Sequence, residues 1–169
     1  IVTNNKKIAD DVKVFHNYGS EKRYYNRVVG TNSRLDEMQA GLLRVKLNHM
    51  QELERERQGL AQKYLNGLDQ QNIILPQIRS GATHVWHQFV IRTSNRPKLI
   101  EYLDSKGIGT IIHYPIPPHL SEAYQYLRIV RGSLPITEEY ADSVLSLPFY
   151  NGMSPEEQDY VIDVINSWR

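Results

Sequence analysis

Apolar residues near the start of the chain are spaced to form one face of a short helix. Ile8, Val12 and Phe15 follow the i, i+4, i+7 pattern, which predicts a helix over Lys6–Phe15. The first two residues are a β-branched pair followed by turn formers, with no initiator methionine. We interpret this pair as the last strand of a sheet whose other strands are absent from the chain. A processed or trimmed N-terminus is the alternative.

A much longer helical pattern follows a polar segment, 16–32. Asp36 and Glu37 lie in its first turn, where negative charge suits the helix dipole. The first half of the pattern carries two adjacent apolar stripes, one of Leu35, Met38, Leu42, Val45 and His49 and one of Leu43, Leu47 and Met50. Two stripes indicate that this half is covered on more than one side.

The second half of this pattern is charged over 51–58 and then regains a single apolar face that ends at Leu68. A single helix over this pattern would be roughly three times as long as a typical helix of ~11–12 residues. A helix of that length must bridge two bodies or flank an interface. We therefore predict a domain boundary along it.

Beyond Pro76 the pattern predicts a small α/β or α+β domain in which strands alternate with helices. Strands are predicted over 85–92 and 108–113, and helices over 97–106, 136–144 and 155–168. Gly107 ends the first of these helices, and Ser154 is a good N-cap for the last, which begins at Pro155.

The composition narrows the class of protein. The 169 residues are 40% hydrophobic and 23% charged, with a net charge of +1, so no overall field attracts nucleic acid or a membrane. The absence of cysteine excludes disulfides, thiolate metal sites and a cysteine nucleophile. No apolar run approaches the ~18 residues of a membrane span, and no secretory signal is visible, so we expect a cytoplasmic protein. No metal site is expected either.

Two segments ahead of the long helical pattern carry candidate binding groups. The segment 17–26 is dense in aromatic and polar side chains, as binding loops often are, and a solvated connection is the alternative. Asn32 and Ser33 precede the helix, whose free backbone N–H groups suit a phosphate or another anion. They are equally explained as helix caps.

His113 lies where a predicted strand ends and a proline-stiffened loop, 115–118, begins. Strand ends that open into loops are favoured ligand sites in α/β proteins, and a purely structural histidine is the alternative. The lysines fall on polar helix faces or in polar loops, so none has the desolvated or charge-tuned setting that a Schiff base requires.

Several segments, in order, resemble one enzyme family. They are residues 17–22 (NYGSEK), 30–40 (GTNSRLDEMQA) and 107–119 (GIGTIIHYPIPPH), with further likeness at 135–138, at 145–148 (LSLP) and in the closing helix. The chain resembles the DegT/StrS-type sugar aminotransferases, which use pyridoxal phosphate and have the aspartate-aminotransferase fold. Within that family it is most similar to enzymes that install a 3-amino group on a dTDP-linked 3-keto-6-deoxyhexose.

The resemblance implies roles for particular residues. Asn32 matches the asparagine that reaches across the dimer interface to the cofactor phosphate of the other subunit. His113 matches a histidine at the edge of the active site that contacts the sugar or its amine adduct. The other implied substrate-binding residues are Tyr114, Tyr24, Tyr25, Arg34 and His119. The lysine that holds the cofactor in this family would lie upstream of the first residue.

The resemblance therefore implies an α/β chain that is the C-terminal part of a fold-type I pyridoxal-phosphate transferase. Residues 1–50 would be the remnant of the large cofactor-binding domain, including the dimer-contact loop, and 51–169 the C-terminal small domain. The parent would be a homodimer that moves an amino group from glutamate to a nucleotide-linked keto sugar, and the fragment alone would be inactive. A non-catalytic dimerisation or regulatory domain of the same fold is the alternative.

Overall fold

A computed structural model describes residues 1–169, whose contacts cluster into two units, Ile1–Met50 and Gln51–Arg169. The first unit contains helix α1 (Lys6–Phe15), strands β1 (Ser20–Lys22) and β2 (Tyr25–Asn26), and helix α2 (Glu37–Asn48). The predicted helix over 6–15 is confirmed. The first two residues pair with no segment of this chain, and their assignment to a strand of a sheet outside it stays a prediction.

Backbone hydrogen bonds close the loop between α1 and α2. The Tyr18 N–H donates to the Thr31 carbonyl at 3.0 Å, and the Thr31 N–H donates to the Phe15 carbonyl at 2.9 Å. Gly19 has φ +76°, and a Cβ there would lie 1.8 Å from the Val28 carbonyl oxygen. A Cβ on Gly30 would lie 2.2 Å from the Gly19 nitrogen. The loop therefore closes only because both positions lack a side chain.

The long helical pattern forms two helices, so the prediction of one continuous helix is wrong. Helix α2 ends at Asn48, His49 leaves the helical conformation at φ −102° and ψ 0°, and α3 (Met50–Gly67) follows. The two apolar stripes of α2 are exposed, with Met38 81% and Leu42 69% accessible, because no other segment of this chain covers them. The predicted coverage on more than one side is therefore not provided by the chain itself.

The second unit contains most of α3 and the rest of the chain. Its other elements are β3 (Phe89–Arg92), α4 (Arg96–Ser105), two 3₁₀ turns (Pro118–Leu120 and Glu122–Leu127), α5 (Pro135–Ser143), β4 (Val144–Leu147) and α6 (Pro155–Ser167). Helices α4, α5 and α6 were predicted within one or two residues of their observed ends. Gly107 follows α4 with φ +74°, as expected of a helix stop, and Ser154 forms a capping box with Glu157 at the start of α6.

Strands β3 and β4 form an antiparallel pair that separates a core face from an open face. Side chains of Phe89, Ile91, Leu145 and Leu147 lie on the core face and are buried. Val90, Arg92, Val144 and Ser146 lie on the other face, called the open face here, where Val90 and Arg92 are partly exposed and Val144 and Ser146 are covered by neighbouring segments. Isolated bridges join Ile74 to Arg92 and Ile111 to Ser146 on the two outer edges. The predicted strand over 108–113 is thus reduced to one bridge.

The predicted strand over 85–92 is shorter than expected, and β4 was not predicted. Trp86 adopts a left-handed conformation with φ 50°, so regular extension begins only at Phe89. Arg57 of α3 holds this irregular segment, since its guanidinium donates to the Trp86 carbonyl at 2.6 Å and to the His87 carbonyl at 2.5 Å. A third donor bonds Asn151 Oδ1 at 3.0 Å.

The core of the second unit lies between β3–β4 and helices α3, α4 and α6. Its fully buried side chains include Tyr64, Phe89, Ile91, Leu99, Leu103 and Leu145. The Tyr64 hydroxyl donates to the Pro148 carbonyl at 2.9 Å, and Gln158 of α6 donates to the Leu60 carbonyl at 2.6 Å. The buried polar groups are therefore paired, as a close-packed core requires. None of the helices has the length and apolar character needed to cross a bilayer.

The closed loop of the first unit generates a prediction about its glycines. Replacing Gly30 with alanine should destabilise this unit by about 1–3 kcal/mol, because the backbone must move to admit the Cβ. Trypsin should then cleave after Lys22, Arg23 and Arg27 faster than in the unmodified chain. Gly41→Ala in α2 is the matched control, because a Cβ at Gly41 meets no atom within 4 Å. Alanine also favours a helix over glycine by about 1 kcal/mol. Equal cleavage rates in the Gly30→Ala and unmodified chains would contradict this account of the loop.

Candidate functional site

The structure places the predicted site residues in both units. Asn32 lies in the first unit, in an isolated antiparallel bridge with Asn17. It precedes the start of α2, whose N-cap is Asp36, so the expectation that Asn32 or Ser33 occupies the helix start is wrong. The extended chain ahead of α2 prevents either residue from capping it. Any anion site at Asn32 must therefore rest on side chains and not on the N-terminus of the helix.

Arg34 supplies a positive charge beside Asn32. Its Nε donates to Asn32 Oδ1 at 3.2 Å and one terminal nitrogen donates to Asn17 Oδ1 at 3.3 Å, while the guanidinium lies 5.7 Å from the centre of the Tyr18 ring. Because both amide oxygens accept from Arg34, the amide nitrogens of Asn17 and Asn32 remain as donors. The Asn17–Asn32–Arg34 cluster therefore combines one guanidinium with amide donors, a set that suits a phosphate oxygen. Asn17 was not singled out from the sequence.

The predicted tyrosines occupy the tip of the β1–β2 hairpin. Tyr24 is 83% and Tyr25 69% exposed, and each is paired with a cation. The Arg23 guanidinium lies 4.9 Å from the centre of the Tyr24 ring, and the Lys22 ammonium lies 5.7 Å from that of Tyr25. This tip presents aromatic faces and positive charge to a ligand or a partner, which fits the expectation of a binding loop.

His113 lies in the second unit beside the open face of the sheet. Its Nδ1 and Ser146 Oγ are 2.9 Å apart, and its ring meets the ring of Tyr114 edge-on at 5.6 Å. His113 is half-buried, whereas Tyr114 is 72% exposed. The two neighbouring candidates are therefore brought together, with the histidine held on the sheet and the tyrosine at the surface.

A cavity of about 580 Å³ opens above this face. Its walls are Ile74, Leu75, Pro76, Gln77, Val90, Arg92, His113, Tyr140 and Val144. Arg92 forms one wall with its guanidinium 4.4 Å from the centre of the Tyr140 ring and 2.9 Å from Glu139 Oε1. The mixture of apolar walls and a few polar groups is typical of a pocket for a small organic ligand.

His119 is buried, and its Nε2 lies 3.1 Å from Glu138 Oε1. The same carboxylate accepts from the Gly132 N–H at 2.7 Å and from the Leu134 N–H at 3.2 Å. The hydrogen bonds from the Gly132 N–H have the largest effect on the pKa of Glu138, and the bond from His119 adds to it. Together they hold this pKa below its ordinary value. His119 therefore already has a partner within the chain, and the pair fastens the 3₁₀ turn at Pro118–Leu120 to the loop before α5.

The lysines of the chain are exposed or half-buried. None is buried, Lys6 pairs with Asp10, and Lys63 pairs with Asp159 at 2.7 Å.

Comparison with known proteins identifies relatives along the whole chain. A profile of the DegT/DnrJ/EryC1/StrS aminotransferase family matches residues 1–166. The erythromycin biosynthesis sensory transduction protein EryC1 of Saccharopolyspora erythraea is 43% identical over 99% of this chain and 46% of its own length. The dTDP-3-amino-3,4,6-trideoxy-α-D-glucose transaminase of Streptomyces venezuelae is 41% identical over 99% of this chain and 45% of its own length.

Solved structures give the same result for the fold. DesV of S. venezuelae in complex with a ketimine intermediate superimposes with a TM-score of 0.90 and 42% identity, covering 99% of this chain and 45% of that one. NtdA from Bacillus subtilis with bound cofactor PMP superimposes with a TM-score of 0.84 and 27% identity, covering 97% and 40%. The chain thus forms part of an α/β transferase fold and spans about half the length of the relatives it matches.

The contacts of Glu138 generate a prediction about acid stability. Because the folded state lowers the pKa of Glu138, its stabilising effect is present above the ordinary glutamate pKa of about 4.3 and is lost as the pH falls through the lower folded value. Glu138→Gln should therefore make the free energy of unfolding depend less steeply on pH below about 4.3. Urea unfolding at a series of acid pH values measures this slope.

Glu139→Gln is the matched control, since that neighbouring carboxylate is 66% exposed and pairs with Arg92 at the surface. The control should keep the acid slope of the unmodified chain. If both variants show the same slope as the unmodified chain, Glu138 does not hold the loop in the way described.

Proposed function

Since the chain belongs to the DegT/DnrJ/EryC1/StrS aminotransferase family, we propose that it is the C-terminal part of an enzyme that transfers an amino group from glutamate to a keto sugar on a nucleotide. The family match over residues 1–166 is the observation that carries the proposal. Residues 1–50 would belong to the large cofactor-binding domain and 51–169 would form the small domain. Because no lysine of the chain is buried, the chain alone is inactive in this proposal.

Pyridoxal phosphate is the cofactor of this proposed enzyme, and when bound it supplies the electron sink that amino transfer requires. The Asn17–Asn32–Arg34 cluster fits the phosphate of such a group, because it offers a guanidinium and free amide donors at one exposed position. Asn32 would donate through Nδ2, and Arg34 would hold its side chain in place while contributing positive charge. In the proposed dimer this phosphate belongs to the other subunit.

The proposed substrate is a dTDP-linked 3-keto-6-deoxyhexose, which the name of the S. venezuelae relative supports. His113 and Tyr114 would contact the sugar. His113 lines the cavity on the open face, and the ring of the exposed Tyr114 meets the His113 ring edge-on. Tyr24 and Tyr25, with the cations beside them, suit the base and the diphosphate of a nucleotide. His119 would act indirectly, through its bond to Glu138.

A homodimer is part of the proposal. The apolar stripes of α2 are exposed in this chain, with Leu42, Val45 and Leu47 each more than half accessible. Exposed apolar surface of this kind marks a surface that another polypeptide covers. The large domain of the same subunit and the second subunit would share this role.

The non-catalytic alternative has one observation in its favour. The relative from S. erythraea is named a sensory transduction protein, so proteins of this family carry regulatory as well as enzymatic names. In that case the same two units would serve dimerisation or regulation. The two functions differ in whether the cofactor responds to an amino donor.

The test uses the complete gene product that contains these residues, purified with pyridoxal phosphate. We expect a visible absorption band from the bound cofactor that is lost when glutamate is added and returns when the keto sugar nucleotide follows. Asn32→Ala should weaken cofactor binding about 10–100-fold, since it removes a hydrogen bond to a charged phosphate. Titration of the apoprotein with the cofactor measures this change.

Asn95→Ala is the matched control, because Asn95 is an exposed asparagine whose side chain makes no cap hydrogen bond. It should bind the cofactor as the unmodified protein does. A colourless protein with no response to glutamate would reject the enzyme and favour the regulatory alternative. Equal affinity in the Asn32→Ala variant would reject the role of Asn32 alone.

A further inference from the structure

We propose that Ser146 is a positioning residue that holds His113 as a hydrogen-bond donor toward an acceptor oxygen of the ligand. The inference rests on the proposed function only for the identity of that ligand. It concerns a contact between β4 and the 107–119 segment, in which Ser146 Oγ and His113 Nδ1 lie 2.9 Å apart. The consequence is a fixed tautomer of the histidine and a defined direction for its second nitrogen.

The backbone of Ser146 is fully engaged by its neighbours. Its N–H donates to the Ile111 carbonyl at 2.8 Å, and its carbonyl accepts from the Ile111 N–H at 3.3 Å. On the other side Ser146 faces Val90 of β3 in the antiparallel register. A backbone held by a neighbouring segment on each side has little freedom, and the Ser146 side chain is itself buried, so its hydroxyl is a rigid support for the imidazole.

The hydrogen bonds available to the Ser146 hydroxyl determine the tautomer of His113. Ser146 is 5% exposed, and its hydroxyl has one bonded partner in the chain, the Nδ1 of His113. A buried O–H that finds no acceptor costs free energy, and Nδ1 is the acceptor within reach. The hydroxyl therefore donates to Nδ1, which must be unprotonated. In a neutral imidazole the hydrogen then resides on Nε2.

A histidine held in this way presents an N–H to the ligand. His113 lines the cavity on the open face and forms no bond within the chain through Nε2. An Nε2–H selects an oxygen that accepts hydrogen bonds, such as a sugar hydroxyl, a ketone or a phosphate oxygen, and disfavours a cation. Ser146 thereby contributes to substrate choice without touching the substrate.

The tautomer can be measured in the 169-residue chain itself. Long-range ¹H–¹⁵N correlation spectra of histidine-labelled protein, recorded at about pH 8, distinguish a protonated ring nitrogen from an unprotonated one. We expect His113 to show an unprotonated Nδ1 and a protonated Nε2. A protonated Nδ1 would overturn the proposal, whatever reaction the complete protein catalyses.

Two substitutions test the part played by the hydroxyl. Ser146→Ala should leave His113 as a mixture of tautomers, and Ser146→Thr should keep the single tautomer because it retains the hydroxyl. Ser143→Ala is the matched control, since that hydroxyl donates to the Glu139 carbonyl at 2.7 Å and should not affect His113. An unchanged spectrum in folded Ser146→Ala would overturn the proposal, and if that variant does not fold the tautomer of the unmodified chain decides.

In the complete enzyme the same variants separate positioning from catalysis. Ser146→Ala should raise KM for the sugar nucleotide about 5–10-fold, as expected from the loss of one oriented hydrogen bond, with a smaller effect on kcat. Ser146→Thr should restore KM. If KM is unchanged while the tautomer is as predicted, the proposed function of His113 fails and the positioning by Ser146 stands.

Discussion

The antiparallel pairing of β3 with β4 is the constraint on which the second unit depends. Four apolar side chains on its core face, Phe89, Ile91, Leu145 and Leu147, are buried against the helices, and the alternation of a strand then forces Val90, Arg92, Val144 and Ser146 onto the other face. A slip of one residue would exchange these two faces. The register that builds the core therefore also places the serine beside His113 and the arginine in the wall of the cavity.

The sequence allowed the helices with strong local signals to be predicted. Helices α1, α4 and α6 combine an apolar face with a cap, a proline at the start or a glycine at the end, and all of these act within a few residues. The break between α2 and α3 carries no glycine or proline, so periodicity alone predicted one helix. Strand β4 has four residues directly after α5, and only pairing with β3 makes it a strand.

Motifs in the sequence predict which residues belong to the candidate site, but they do not predict which side chains contact one another there. The resemblance named Asn32, Arg34, His113 and His119, whereas their partners lie far away along the chain. His113 meets Ser146 across 33 positions, His119 meets Glu138 across 19, and Arg34 meets Asn17 across 17. No local spacing rule reports such pairs, because the fold brings them together. The expected helix start at Asn32 failed for the converse reason, since a local rule was applied where a bridge to Asn17 decides the backbone.

The 107–119 segment is held to the sheet through Ile111, and His113 shares this rigidity. Native-state hydrogen exchange of the chain tests it most directly, through the amides of Ile111 and Ser146, which donate to each other's carbonyls. We expect these amides to exchange as slowly as that of Arg92, which is bonded to Ile74 on the opposite edge, because all three open only when the unit unfolds. Exchange of Ile111 and Ser146 as fast as that of the exposed hairpin tip would show that the segment leaves the sheet freely, and would contradict the account.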